Sequence, residues 1–155
     1  MPPSGDDRGC ALCVIHRCGS GDGTVVLATA DWYLLWLHRY AFPGWLVLAP
    51  DWHVTGFGEL DKPRRAHFAD LLGHVDRAIR AELDPAKVYM LALGDRIPHW
   101  HLLVAPVSAA AARTGVTGGE VLYKYPETPD PSRAWQTAAR IAGAVCQAEA
   151  SSALA

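Results

Sequence analysis

The sequence predicts an α+β domain: a five-stranded antiparallel sheet with one main helix and a C-terminal helix. Three observations predict it. Short apolar stretches at 24–29, 32–37, 45–48, 87–93 and 99–107 are bounded by Gly, Pro and Asp, the mark of strands. A helical apolar repeat runs between the third and fourth stretches, and another closes the chain. The resulting order, β-β-β-α-β-β-α, suits antiparallel strands with helices on one side.

The 155 residues fit one domain with a real core, and half of them are apolar. Net charge is −2, with no basic surplus and no aromatic-basic interleaving, so nothing points to nucleic acid or a membrane surface. The N-terminus lacks the apolar core of a signal peptide, and the best apolar run is broken by Asp31, His38 and Arg39. A cytoplasmic location is the expectation, and with it thiols kept reduced.

Residues 1–9 read as a flexible tail. Cys10-Ala11-Leu12-Cys13 is a CxxC, followed by Cys18 and a Gly-rich turn at 19–23. Thr24–Thr29 and Trp32–Leu37 are two strands joined at Ala30-Asp31, and Trp45–Leu48 is a third after the Pro43-Gly44 turn. Asp61 caps the main helix, with Pro63 in its first turn. Phe68, Leu71, Leu72, Val75, Ile79 and Leu83 form its buried stripe, and Asp84-Pro85 stops it. His67 and His74 fall off or at the edge of that stripe, as solvated or core-edge histidines. Lys87–Leu93 and His99–Val107 are the last two strands, 108–119 is a loop, Val121–Tyr125 reads as a short added strand, and a helix covers 131–148.

The chemistry concentrates in Pro98-His99-Trp100-His101-Leu102-Leu103-Val104-Ala105-Pro106. On a strand, His99, His101 and Leu103 share one face and Trp100, Leu102 and Val104 the other. Two imidazoles about 6.6 Å apart along a strand can flank a phosphate or bind a metal. The CxxC offers two thiolates for tetrahedral zinc. Partners from residue type alone include His16, Cys18, His38, His53, His99 and His101. A redox pair would need a strand before Cys10, and an iron–sulfur site a fourth cysteine at the right spacing.

The run from Leu93 to Pro106 resembles the active-site strand of the histidine triad (HIT) superfamily, whose signature is His-x-His-x-His, two apolar residues and often Pro-Arg. The resemblance covers residues 10–107, with 108–155 as a loop and C-terminal helix packed on the same domain. Two registers fit. In the preferred one His99 is first, His101 middle, Leu103 third, and Pro106 meets the family proline. In the other, Ile97 stands first. Pro98 before the first histidine is similar to the uridylyltransferase branch.

The resemblance implies a structural Zn2+ held by Cys10, Cys13, His53 and His99. It implies hydrolysis or nucleotidyl transfer on nucleoside phosphate anhydrides or phosphoramidates, through a nucleotidyl-histidine intermediate on His101, with His99 beside it. Arg96, Asp95, His38 and Arg39 stand at candidate nucleotide-binding positions, and a homodimer is implied. Several residues depart from the pattern. Leu103 replaces the third histidine, and Val107 stands where many members have arginine. Asp95 brings a charge where a neutral phosphate contact is common. No aspartate stands near Leu37-His38-Arg39 to bind ribose. A nucleotide- or partner-binding protein with little turnover is therefore the alternative.

Overall fold

The computed structural model describes residues 9–152, so all of the expected tail but Gly9 lies outside the described residues. The elements are α1 (Ala11–Cys18), β1 (Gly23–Ala28), β2 (Trp32–Leu37), β3 (Leu46–Pro50), α2 (Lys62–Leu83), β4 (Lys87–Leu91), β5 (Leu102–Val107), α3 (Ala109–Arg113) and α4 (Pro131–Ser152). The strands form one antiparallel sheet in the order β1-β2-β3-β5-β4. The α+β class, the five strands, the main helix and the C-terminal helix are as predicted.

Every residue of β2, β3 and β5 is buried, because both faces of the sheet are covered. Trp32, Leu34, Leu46, Leu48, Leu102 and Val104 pack under α2 and α4, against Leu71, Val75, Ile79, Ala138, Ile141 and Val145. Tyr33, Leu35, Leu37, Val47, Leu103 and Ala105 face the other way, under Leu12, Cys13 and Ile15 of α1 and Ala111, Val116 and Val121. The prediction of helices on one side is corrected here. The two long helices share one side, but α1 and the 108–125 segment roof the other.

α2 begins and ends where its punctuation says. The Asp61 carboxylate accepts the Arg64 N–H at 3.0 Å, and Asp84 closes the helix with φ 44° before Pro85. Gly44, at φ 78°, makes the turn into β3. A Cβ there would lie 2.5 Å from Leu83 Cδ1 and 2.9 Å from Pro106 Cγ, so the turn demands glycine.

Four local expectations change. α1 was not predicted: Cys10 caps it, Leu12, Cys13 and Ile15 form its buried stripe, and Gly19 ends it at φ 61°. The expected loop at 108–119 contains α3, an alanine run whose first turn is capped by Ser108 Oγ accepting the Ala111 N–H. Val121–Tyr125 is not a strand. Its backbone is spent locally, with Val121 N–H donating to Thr117 O and Lys124 N–H to Glu120 O, and the Glu120 carboxylate accepts the Thr117 hydroxyl. β5 also starts at Leu102, so His99 and His101 lie on the irregular lead-in.

Candidate functional site

The end of β3, the lead-in to β5 and the first turn of α1 meet on the roofed face of the sheet. There Cys10, Cys13, His53 and His99 bring one ligand atom each to within 4.8 Å of one another, and all four are buried. Cys13 Sγ lies 3.3 Å from His99 Nδ1 and 3.6 Å from His53 Nδ1, and Cys10 Sγ lies 3.6 Å from His99 Nδ1. A tetrahedral zinc with ordinary Zn–S and Zn–N bonds needs ligand–ligand edges of about 3.5 Å, so the donor set fits that ion.

The second nitrogen of His99 orients the ligand. His99 Nε2 sits 3.2 Å from the Pro50 carbonyl, which can only accept, so the proton is on Nε2 and the lone pair on Nδ1 faces the thiols. Burial, and then the neighbouring His53, push the His99 pKa down to about 4. The imidazole is thus neutral and available as a ligand. Tyr33, whose hydroxyl donates to the Leu12 carbonyl at 3.3 Å, has its pKa raised by burial and then by the nearby Cys13 and Cys10 sulfurs. It ties α1, and with it the CxxC, onto β2.

Two residues on, the geometry reverses. His101 Nδ1 is 2.7 Å from the His99 carbonyl, so Nδ1–H donates there and Nε2 carries the lone pair. His101 lines a cleft of about 320 Å³ on the same face. Leu37, Val47, Leu91 and Leu103, one from each of β2, β3, β4 and β5, line it together with Ile97 and Leu122. Arg39, Asp95, Arg96 and Tyr123 also line it. An imidazole oriented in this way at the edge of such a cleft can act as a nucleophile or a base through Nε2.

The structure therefore brings Cys10, Cys13, His53 and His99 together in one cluster, and His101, Arg39, Asp95 and Arg96 together around one cleft. His99 links the two through its carbonyl. His38 is not among the cleft residues. Its Nε2 is 2.9 Å from Thr24 Oγ1, and its ring centre lies 4.8 Å from that of Trp36, with the planes tilted by 55°. Sequence reasoning missed the Pro50 carbonyl and the cleft residues Leu122 and Tyr123. Backbone acceptors leave no residue-type signal, and 121–125 reads as a strand by composition.

No family model matches the chain, and neither does any curated protein. Solved structures do match. A hypothetical histidine triad nucleotide-binding protein from Sulfolobus tokodaii is similar at TM-score 0.67 and 16% identity, over 89% of this chain and 93% of that one. A zinc-bound histidine triad family protein from Mycobacterium smegmatis is similar at TM-score 0.67 and 16% identity, over 94% and 99%. A Hit-like protein involved in cell-cycle regulation from Bartonella henselae is similar at TM-score 0.66 and 11% identity, over 90% and 98%. The chain has the histidine triad fold across nearly its whole length, as the resemblance around His99 and His101 implied.

Proposed function

We propose that this HIT-fold chain is a nucleotide phosphohydrolase or nucleotidyltransferase that works through a nucleotidyl-histidine on His101. One observation carries the reading: His101 donates Nδ1–H to the His99 carbonyl at 2.7 Å and lines the cleft. His101 Nε2 attacks phosphorus, the bond to the leaving group breaks, and the leaving group departs with a proton drawn from solvent, since Leu103 offers none. Water then attacks the same phosphorus, releasing the nucleotide and restoring the imidazole. The substrate class is a nucleoside phosphoramidate or a dinucleoside polyphosphate. Arg96, on the segment leading into His101, meets the charge of the phosphate under attack, and the apolar floor takes the base.

The metal cluster supports a structural Zn2+ on Cys10, Cys13, His53 and His99. With four protein ligands it would have no open position for water, so it would hold α1 to the β5 lead-in and take no part in the chemistry. Two buried thiols in that role suit a reducing, cytoplasmic compartment. Among the described residues no helix is long and apolar enough to cross a membrane. A homodimer through the β4 edge is part of the same reading, since β4 ends the sheet and Met90 on it is 42% exposed. Light scattering at micromolar concentration tests that, and a strictly monomeric mass counts against it.

Leu103 supports a second reading, nucleotide binding with little turnover, because it cannot donate to a leaving group. The two are separated by mixing the protein with adenosine 5′-phosphoramidate and following AMP release and the intact protein mass. AMP release and an adenylyl adduct, both lost in His101→Ala, support the enzyme. Binding with neither release nor adduct supports the second reading.

A further inference from the structure

We infer that the ligand of this cleft carries a second anionic group, remote from the phosphate at His101, and that Arg39 receives it. The inference rests on the nucleotide reading above and goes beyond it to the class of nucleotide. Two guanidiniums, Arg39 and Arg96, line the cleft against one carboxylate, Asp95, so the lining carries a surplus of one positive charge. Neither arginine forms an ion pair among the described residues, whereas Arg64, Arg80 and Arg140 each meet a carboxylate. The Arg39 guanidinium rests 5.5 Å from the Tyr40 ring centre, a contact that leaves its five N–H donors unused.

The two arginines stand at different places relative to the reacting imidazole. Arg96 is on the segment that leads directly into His101. Arg39 follows β2, and β3 lies between β2 and β5. The register aligns Leu35, Val47 and Leu103 in one row. His101 precedes that row on the lead-in to β5, and Arg39 lies beyond it, past the end of β2, which runs parallel to β5. The two positions are therefore set apart diagonally, by at least the two interstrand spacings, about 10 Å. One phosphate at His101 engages Arg96 and leaves Arg39 without a partner. A ligand with a second phosphate on its sugar, or with charge at the far end of its leaving group, engages both. The apolar floor between them, Leu37, Val47 and Leu103, accommodates the uncharged part.

Isothermal titration calorimetry tests this with three probes: AMP, adenosine 3′,5′-bisphosphate for a sugar-borne anion, and α,β-methylene-ATP for a chain-borne one. The expected result is that one of the two longer anions binds about tenfold or more tighter than AMP, and identifies the source. In Arg39→Gln the ratio of its affinity to that of AMP falls to near one. In Arg96→Gln the ratio is retained. Raising the salt from low to about 0.5 M shrinks the ratio in the native protein. Arg39 is exposed, so its variant folds, which an unchanged melting temperature verifies. Equal binding of all three probes, or a gain that survives Arg39→Gln, overturns the inference while the nucleotide reading stands. No binding of any probe overturns both.

Discussion

The Cys10, Cys13, His53 and His99 cluster and the cleft lie on one face of the sheet and are joined through the His99 carbonyl, yet they are built oppositely. In the cluster four side chains converge and all are buried. In the cleft one histidine faces an apolar floor, with Asp95 and Arg96 exposed at its edge. The histidines carry opposite tautomers, each set by a backbone carbonyl. Pro50 O accepts a hydrogen bond from His99 Nε2–H, and His99 O accepts one from His101 Nδ1–H. The lesson is that the fold orients the His101 imidazole from within, through the backbone of a residue whose own ring is held between the Pro50 carbonyl and two thiols. The cleft is left free to vary, and Leu103 is one such variation.

Removing the metal ligands is the strongest way to break this comparison. Cys10→Ser/Cys13→Ser is expected to abolish metal binding, read by elemental analysis of protein made without a chelating tag. A structural ion of this kind contributes several kcal/mol, so the melting temperature should fall by about 10 °C or more. Metal retained at one ion per chain in the double variant would remove the premise that these thiols hold it.

Acid sharpens the same contrast. In the metal-free protein His99 has a pKa of about 4, below the usual histidine value of about 6.5 in the unfolded chain. A group depressed on folding contributes its full stability above the unfolded pKa and loses it as pH falls towards the folded one. Stability should therefore drop by about 2–3 kcal/mol between roughly pH 6.5 and 4. Urea melts of the metal-free protein across that range measure it, and His99→Gln should flatten the slope. An equal slope in the variant would assign the loss to other groups.

Legibility from the sequence followed the same division. The α2 boundaries were readable because Asp61 and Asp84-Pro85 act through local backbone chemistry. The cluster of Cys10, Cys13, His53 and His99 was legible because the resemblance tied each residue to a position, whereas residue type alone left His16, Cys18, His38 and His101 as rivals. α1 was missed because eight residues give too little periodicity, and its closing glycine reads equally as a turn. The cleft was only half legible. His101, Arg39, Asp95 and Arg96 were marked, but Leu122 and Tyr123 reach the cleft through the 108–125 segment, whose course depends on tertiary contacts. His38 was marked and stands elsewhere, because Thr24 and Trp36 hold it.

On the cleft side, Leu103→His should raise turnover of a phosphoramidate with a poor leaving group by about tenfold. A positioned acid or donor is worth more than that in general, about 10²–10⁴. Here Leu103 is only 5% exposed, so the new imidazole is desolvated and part of the gain is offset. An activated substrate with an acidic leaving group should gain little, and comparing the two substrates in one assay isolates the leaving-group effect. Equal gains on both would mean that the substitution acts by reshaping the floor.

The smallest expected effect tests whether the other face of the sheet is independent of both sites. Glu149 of α4 bridges two histidines of α2, with Oε2 2.9 Å from His67 Nε2 and Oε1 2.8 Å from His74 Nδ1. His67 also meets Asp31 at 3.4 Å, and Asp31 meets Arg64 at 3.3 Å. The network ties α2, α4 and the β1–β2 turn together beneath the sheet. Glu149→Gln keeps the shape but gives up the charge and one acceptor oxygen. Because the groups are partly exposed, the expected cost is about 1–2 kcal/mol, a few degrees of melting temperature by calorimetry. Metal content and turnover should not change, since the centre and the cleft lie across the sheet. Loss of metal in Glu149→Gln would mean that the α2–α4 layer helps to set the geometry of His53 and His99, and the frame would then extend through the whole domain.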